Sequence, residues 1–457
     1  MKKLIIVVFF LFWLWQIKSQ NTDTNSTKFI FDAGLVDLPY CFENNLMPLW
    51  NISPSMHQSL SWTKTVAESY QYASKRIFFN PQKIYSSTAI FWRSLGMNTL
   101  NGVFEIIMAY SPLGTGWMHE EWHRAVMTHR KVASFNDMNT FPFGQQTVSV
   151  SHVKDNDLNI MKALYNPDFA RLMVAGIEGQ YEFVKELQKD NFYYNLDLPS
   201  QLSYLVNIVN SIAYVRICSR PSADSLTIEM ENIEGTNIEK RDFTGMDFTA
   251  WVYDLFRPDE PYNMRGYSNS GVGIRRYRLT SDLTTDELNY LKKMGNLQLF
   301  NLASPFLLGI NSFKINQFSS INFSLFHYLT SFGYDLGSNF FVKYKKHNVL
   351  FAFHNYHNYK TNFFGIEGQY IDYQLKTINF EFILTSKINI WTQPQNQDFK
   401  TNIHQLGGRI ELCISTSTNT IFRPYIIISA KTKGWVASDV YLDNNVSFKI
   451  GISGRIK

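Results

Sequence analysis

The sequence predicts an α+β protein, with a mainly helical part over residues 20–312 followed by an antiparallel β part over residues 313–457. Up to about residue 312, apolar residues recur at helical spacing in long segments that end at Pro or Gly. From Gln317 onward they alternate with polar or small residues at a period of two. A third observation is composition: 16% of the chain is aromatic, with 37 Phe and 25 Tyr. That is high for a water-soluble enzyme, and the excess needs a location in the fold.

Lys2 and Lys3, the apolar run Leu4 to Trp15 and the polar Gln16 to Gln20 have the layout of a secretory signal, expected to span residues 1–19 and to be cleaved after Ser19. The apolar run is too short to span a bilayer comfortably, and Lys18 closes it. Cys41, Cys218 and Cys413 are too few and too scattered for a disulfide framework or a thiolate zinc site. The net charge of +5 is spread along the chain and does not suggest nucleic-acid binding.

The first helix is expected over 53–79, opened by Ser53-Pro54, and the second over 88–110. Arg93, Asn98, Asn101 and Glu105 interrupt the second, which predicts a helix buried in protein. The break Ser111-Pro-Leu-Gly-Thr-Gly116 precedes a helix expected over 117–130. Asn166-Pro167-Asp168 supplies a cap, a first-turn proline and a carboxylate at the positive helix end, so a helix is expected from there to about residue 190. Residues 201–218 form another apolar helix, in which Asn207 and Asn210 predict a core or cavity lining. Thr147 to His152 reads as an edge strand beside the 117–130 helix, and Thr147 to Val150 could offer a substrate peptide a strand to pair with.

The third of these helices carries Met118-His-Glu-Glu-Trp-His-Arg124, an HExxH pattern. His119 and His123, one helical turn apart, project from one face and can ligate one zinc, while Glu120 lies close enough to act as general base toward water. Glu121 and Arg124 are expected behind them or at the surface. A catalytic zinc needs a third protein ligand. His129 has the spacing of the third histidine in HExxHxxGxxH, but Val126 replaces the glycine whose turn would swing the chain back. Glu178 is the favoured ligand: it lies in Ala175-Gly-Ile-Glu-Gly-Gln-Tyr181, whose small residues let one helix pack closely on another. Glu182 and His152 stand behind it, and an ion pair with Arg171 is the structural alternative for Glu178. Tyr181 or His152 could donate to the oxyanion of a tetrahedral intermediate. Asp247 and Asp254, seven residues apart in the Arg241 to Tyr262 segment, share a helix face and could support the ligands; pairing with Arg257 and Arg265 is the commoner arrangement.

HExxH with a glutamate on a later helix resembles the gluzincin branch of zincin-type metallopeptidases, over roughly residues 117–185. The resemblance implies zinc as cofactor, His119, His123 and Glu178 as ligands, Glu120 as general base, and a peptide or protein as substrate. The C-terminal alternation is clearest at Ile378, Phe380, Phe382 and Leu384, at Ile410, Leu412 and Ile414, and at Val446, Phe448, Ile450 and Ile452. Ser331-Phe-Gly333, Lys345 to Asn348 and Ser417 to Asn419 separate runs of roughly ten residues, the length a tilted strand needs to cross an outer membrane. This resembles a bacterial outer-membrane β-barrel of about eight strands. It departs from the commonest ending, since Arg455-Ile-Lys457 replaces a terminal aromatic residue. The resemblance implies an outer-membrane location, lipid contact and a periplasmic catalytic domain. The alternatives are a noncatalytic outer-membrane assembly or transport component, a lipid or lipopolysaccharide hydrolase, and a water-soluble β-sandwich.

Overall fold

The computed structural model describes residues 29–42, 52–80, 82–140, 149–196, 198–376, 381–394, 396–416 and 422–456. The expected signal segment, Thr147, Ile378, Phe380 and the 417–419 turn lie outside the described residues.

Ten helices are named here: α1 Met56–Phe78, α2 Ser87–Ala109, α3 Thr115–His129, α4 Asp155–Leu164, α5 Asn166–Leu172, α6 Ala175–Tyr194, α7 Gln201–Ile217, α8 Pro221–Glu234, α9 Asp247–Phe256 and α10 Thr285–Leu297. The strands are β1 Phe29–Leu38, β2 Phe135–Asn136, β3 Val150–Ser151, β4 Phe313–Asn316, β5 Ser319–Thr330, β6 Gly333–Tyr344, β7 His347–His357, β8 Asn362–Lys376, β9 Glu381–Trp391, β10 Gly407–Thr416, β11 Phe422–Lys431 and β12 Asn445–Ile456. No helix among the described residues is long and apolar enough to cross a membrane.

The helical starts follow local chemistry. Helix α1 begins one turn later than Ser53-Pro54 suggests, because Ser55 caps it: the Ser55 hydroxyl accepts from Gln58 N and the Gln58 side chain accepts from Ser55 N (2.8 Å). The helix expected from Asn166 is two, α5 and α6, separated by a turn at Met173-Val174.

The α+β class holds, but the expected barrel does not close. The strands form one open antiparallel sheet of ten, in the order β1-β12-β11-β10-β9-β8-β7-β6-β5-β4. Two-residue turns at Ser331-Phe332 and Lys345-Lys346 set the β5–β6–β7 registers, with Thr330 opposite Gly333 and Tyr344 opposite His347. The outermost strand β1 comes from the N-terminal stretch assigned by sequence to the helical part, and it pairs with β12 from Phe29↔Ile456 to Leu38↔Phe448.

Closure fails because helices occupy the seam. Along β1, Thr65 Oγ1 accepts from Asp32 N (2.8 Å), Ser61 Oγ accepts from Gly34 N (2.9 Å), and Trp62 Nε1 donates to Gly34 O (2.9 Å), all from α1. Along β5, Asn301 Oδ1 accepts from His327 N (2.8 Å) and Ala303 O accepts from Leu325 N (3.0 Å). Both sheet edges therefore spend hydrogen bonds on the helical half that β1 and β5 would need to pair with each other.

The inner face of the sheet mixes charged and polar residues with apolar ones such as Phe341, Leu350 and Phe363, and its outer face is largely apolar. Glu367, Asn389, Arg409, Ser447 and Lys449 are buried, while Phe353, Phe364, Ile366, Ile388, Ile410 and Val446 are exposed. The buried charges find partners across the interior: Lys387 Nζ reaches Glu367 Oε2 at 2.9 Å, and Lys185 of α6 reaches Glu367 Oε1 at 3.4 Å.

Candidate metal centre

Helix α3 starts at Gly114, which bears no side-chain cap, and is buried along almost its whole length. Gly114 and Gly116 are required by crowding: a Cβ on either would overlap the carbonyls of Met108 and Ala109 at the end of α2. Helix α6 crosses α3 on its small side, as the Ala175 to Gly179 pattern anticipates. A Cβ on Gly179 would stand 2.8 Å from the Trp122 ring, and one on Gly176 would overlap the His119 imidazole. Gly176 thus makes room for the first histidine.

Among the described residues, one group of three metal-capable side chains converges: His119, His123 and Asp247, with donor atoms within 4.8 Å of one another. His119 Nε2 lies 3.7 Å and His123 Nε2 3.5 Å from Asp247 Oδ2. Donors on a tetrahedral zinc with bonds of about 2.1 Å stand about 3.4 Å apart, so these separations fit the ion with little movement. His123 Nδ1 donates to Leu172 O, which fixes the tautomer, and His123 Nε2 is buried with no hydrogen-bond partner. Burial pushes both imidazoles down to about 4, so they are neutral and able to ligate at ordinary pH. His119 is 9% exposed against 1% for His123 and 4% for Asp247, so the group opens on the His119 side.

Asp247 is delivered by a turn. The Asp242 carboxylate accepts from Thr244 N (3.3 Å), Gly245 N (2.7 Å) and Val150 N (3.1 Å), and Gly245 adopts φ +76°. Asp247 then occupies the first position of α9. Its N–H donates to Tyr214 Oη at 3.3 Å. Burial raises Asp247 to about 6; burial and then the Asp247 charge raise Asp242 to about 7. Gln180 accepts from Ser211 Oγ at 2.6 Å, which ties α6 to α7 beside the site. Glu120 is buried, and burial with the nearby Asp247, Asp242 and Asp137 carboxylates holds its carboxyl well above the usual range.

Several expected site residues stand elsewhere. Glu178 points to the opposite side of α6, where Oε1 accepts from Arg171 Nη2 (2.7 Å) and Ser438 N (3.0 Å) and Oε2 from Trp435 Nε1 (3.3 Å). Its packing helix was read correctly and its face was not, since Gly176 and Gly179 take the α3 side. Tyr181 bonds Gln298 and stacks edge-on against Tyr328, so it faces the sheet and is no oxyanion donor here. Glu182 accepts from Tyr328 Oη at 2.6 Å. His129 packs on Tyr441, and His152, exposed at φ +60°, packs on Phe135. Glu121 and Arg124 form a buried pair at 2.7 Å, with Asn136 donating to Glu121 at 2.8 Å. Asp254 pairs with Arg265 and Lys162. No peptide can pair with the 150–152 edge, because Phe243 N already donates to Val150 O and His152 N to Glu239 O.

Sequence reasoning favoured a helix cap or a pairing with Arg257 and Arg265 for Asp247, with support of the histidines as the lesser alternative, and it missed Tyr214. The Asp242-Phe-Thr-Gly245 turn directly before an acidic helix start was the available signal for Asp247. Comparison with protein-family models, with curated proteins and with solved structures finds no match.

Proposed function

We propose that the chain is a zinc-dependent hydrolase, most consistent with a peptidase, that uses His119, His123 and Asp247 as ligands and is held in an outer membrane by its sheet. The observation that carries the reading is the convergence of two neutral imidazoles and one carboxylate, with His123 Nε2 buried and unpartnered toward the group. A zinc held there would polarise a substrate carbonyl and lower the proton affinity of water.

The chain's own residues do the rest. Glu120, raised by burial and neighbouring carboxylates, is a strong proton acceptor once ionised and passes its proton to the leaving group. Tyr214, which accepts from Asp247 N, and the Asp242 turn hold the backbone of Asp247 in place. The peptide class rests on the HExxH resemblance. The membrane location rests on the inverted polarity of the sheet, apolar outside and charged inside, which hydrocarbon rewards and water does not.

The test is purification of the full chain, metal analysis and hydrolysis of a peptide library. One zinc per chain and loss of all turnover in Glu120→Gln, with zinc retained, are expected. A chain that takes up no zinc, or a Glu120→Gln enzyme as active as the parent, overturns the reading.

A further inference from the structure

The helix that runs into the metal helix has the polarity of the sheet, not that of a water-soluble helix. Helix α2 buries Ser94, Asn98, Asn101 and Glu105. On the opposite side it exposes Trp92 (61%), Val103 (50%), Ile106 (65%) and Tyr110 (56%). At about 100° per residue, these four fall on one stripe, and the buried polar set falls on the stripe facing away from it.

Two of the buried polar side chains are bonded to neighbouring helices, although Asn101 Nδ2 is left without a partner. Asn101 Oδ1 accepts from Ser74 Oγ of α1 at 2.6 Å, and Glu105 is bonded by Tyr70 of α1 and Ser203 of α7. Helix α2 therefore bridges α1, which seals the β1 edge, to α7, which packs on the 298–308 turns that line β5. These are the two sides of the seam that keeps the sheet open.

We propose that α2 is the lipid-facing stave that covers this seam, so that the helical half shares one hydrocarbon layer with the outer face of the sheet. The inference rests on the membrane reading of the sheet given above and extends it to the helices. Three observations favour lipid over a protein partner. The exposed stripe of α2 and the outer face of the sheet have the same apolar character, so one medium accounts for both. Trp92 and Tyr110 stand at its two ends, about 27 Å apart at a rise of about 1.5 Å per residue, close to a bilayer core of about 30 Å with aromatic residues at its borders. Arg93, beside Trp92, turns inward to donate to Phe78 O at 2.7 Å, so no charge lies on the stripe. The helix is too polar to insert by itself, and the polar face is the one that the protein covers. Since α3 follows within a few residues of Tyr110, the metal centre lies at the border of that layer.

The test is nitroxide accessibility in the full chain reconstituted into phosphatidylethanolamine–phosphatidylglycerol vesicles. Labels are placed at Val103→Cys and Ile106→Cys, at Phe353→Cys on the outer face of the sheet, and at Asp286→Cys in water, in a parent carrying Cys41→Ser, Cys218→Ala and Cys413→Ser. The expected result is a ratio of oxygen to nickel-chelate collision several-fold higher at 103, 106 and 353 than at 286. A lipid signal at 353 with a water signal at 103 and 106 overturns the inference and leaves the membrane reading standing. Labels at 103 and 106 shielded from both reagents mean that protein covers α2, and this also overturns it. A water signal at 353 removes the membrane reading, and the inference falls with it. If the cysteine-free parent does not fold, the native-cysteine chain is compared with Trp92→Phe in brominated-lipid vesicles. Loss of a quenchable component in the variant is expected, and unchanged quenching overturns the inference.

Discussion

Asp247 stands beside His119 and His123 in the place that sequence reasoning assigned to Glu178. The two residues separate cleanly in experiment. Asp247→Ala is expected to abolish stoichiometric zinc with a small change in melting temperature, as read by metal analysis and calorimetry. Glu178→Gln is expected to keep zinc and to destabilise the fold by about 3–5 kcal/mol, because Arg171 is left charged and fully buried. Tyr214→Phe removes the hydroxyl that holds Asp247, and zinc affinity is expected to fall about 10–100-fold in a chelator competition. Acidity should act through the same carboxylate. Asp247 is raised to about 6, and zinc requires its ionised form. Zinc affinity is therefore expected to be steady above about pH 7 and to decline as pH falls through 6, with proton release on binding increasing in that range. Affinity that rises on acidification would remove Asp247 from the ligand set.

The contact between α3 and α6 decides the site at the level of elements. Gly176 is the position where it can be broken without replacing any of the three converging side chains, since any Cβ there displaces the His119 ring. Gly176→Ala is expected to lower zinc occupancy while far-ultraviolet circular dichroism stays unchanged, and Gly179→Ala, which meets Trp122, is expected to affect stability more than zinc. The HExxH helix and its packing partner were legible because a four-residue histidine spacing and a run of small residues are local patterns. Which side of α6 faced the metal was not legible. Glu178 and Gly176 are two residues apart and point different ways, and only the packing of α3 shows which of them is turned to it.

The helical half keeps an ordinary apolar core, while the sheet buries charged residues such as Glu367 and Arg409 and exposes Phe and Ile on its outer face. Such a surface is stable in hydrocarbon and prone to association in water. Ile410→Arg, on the outer face of β10, is expected to weaken membrane insertion by about 2–4 kcal/mol if that position lies near the bilayer midplane, and Ile410→Phe to leave it unchanged, as measured by folding into vesicles. Equal behaviour of the two variants would argue for a water-facing sheet.

The sequence by itself determined the α+β class, the onset of the β part near residue 313, the hairpin turns and the two histidines with their glutamate. Each of these depends on residues close together in the chain, through capping, periodicity or turn chemistry. Tertiary structure alone decided the rest: that β1 joins β12, that helices fill the seam and leave the sheet open, that polar residues face inward, and that Asp247 and Tyr214 meet His119 and His123. Those outcomes join segments far apart in the chain, and they depend on which hydrogen bonds the sheet edges find and which helix faces are small enough to touch, neither of which a local pattern encodes.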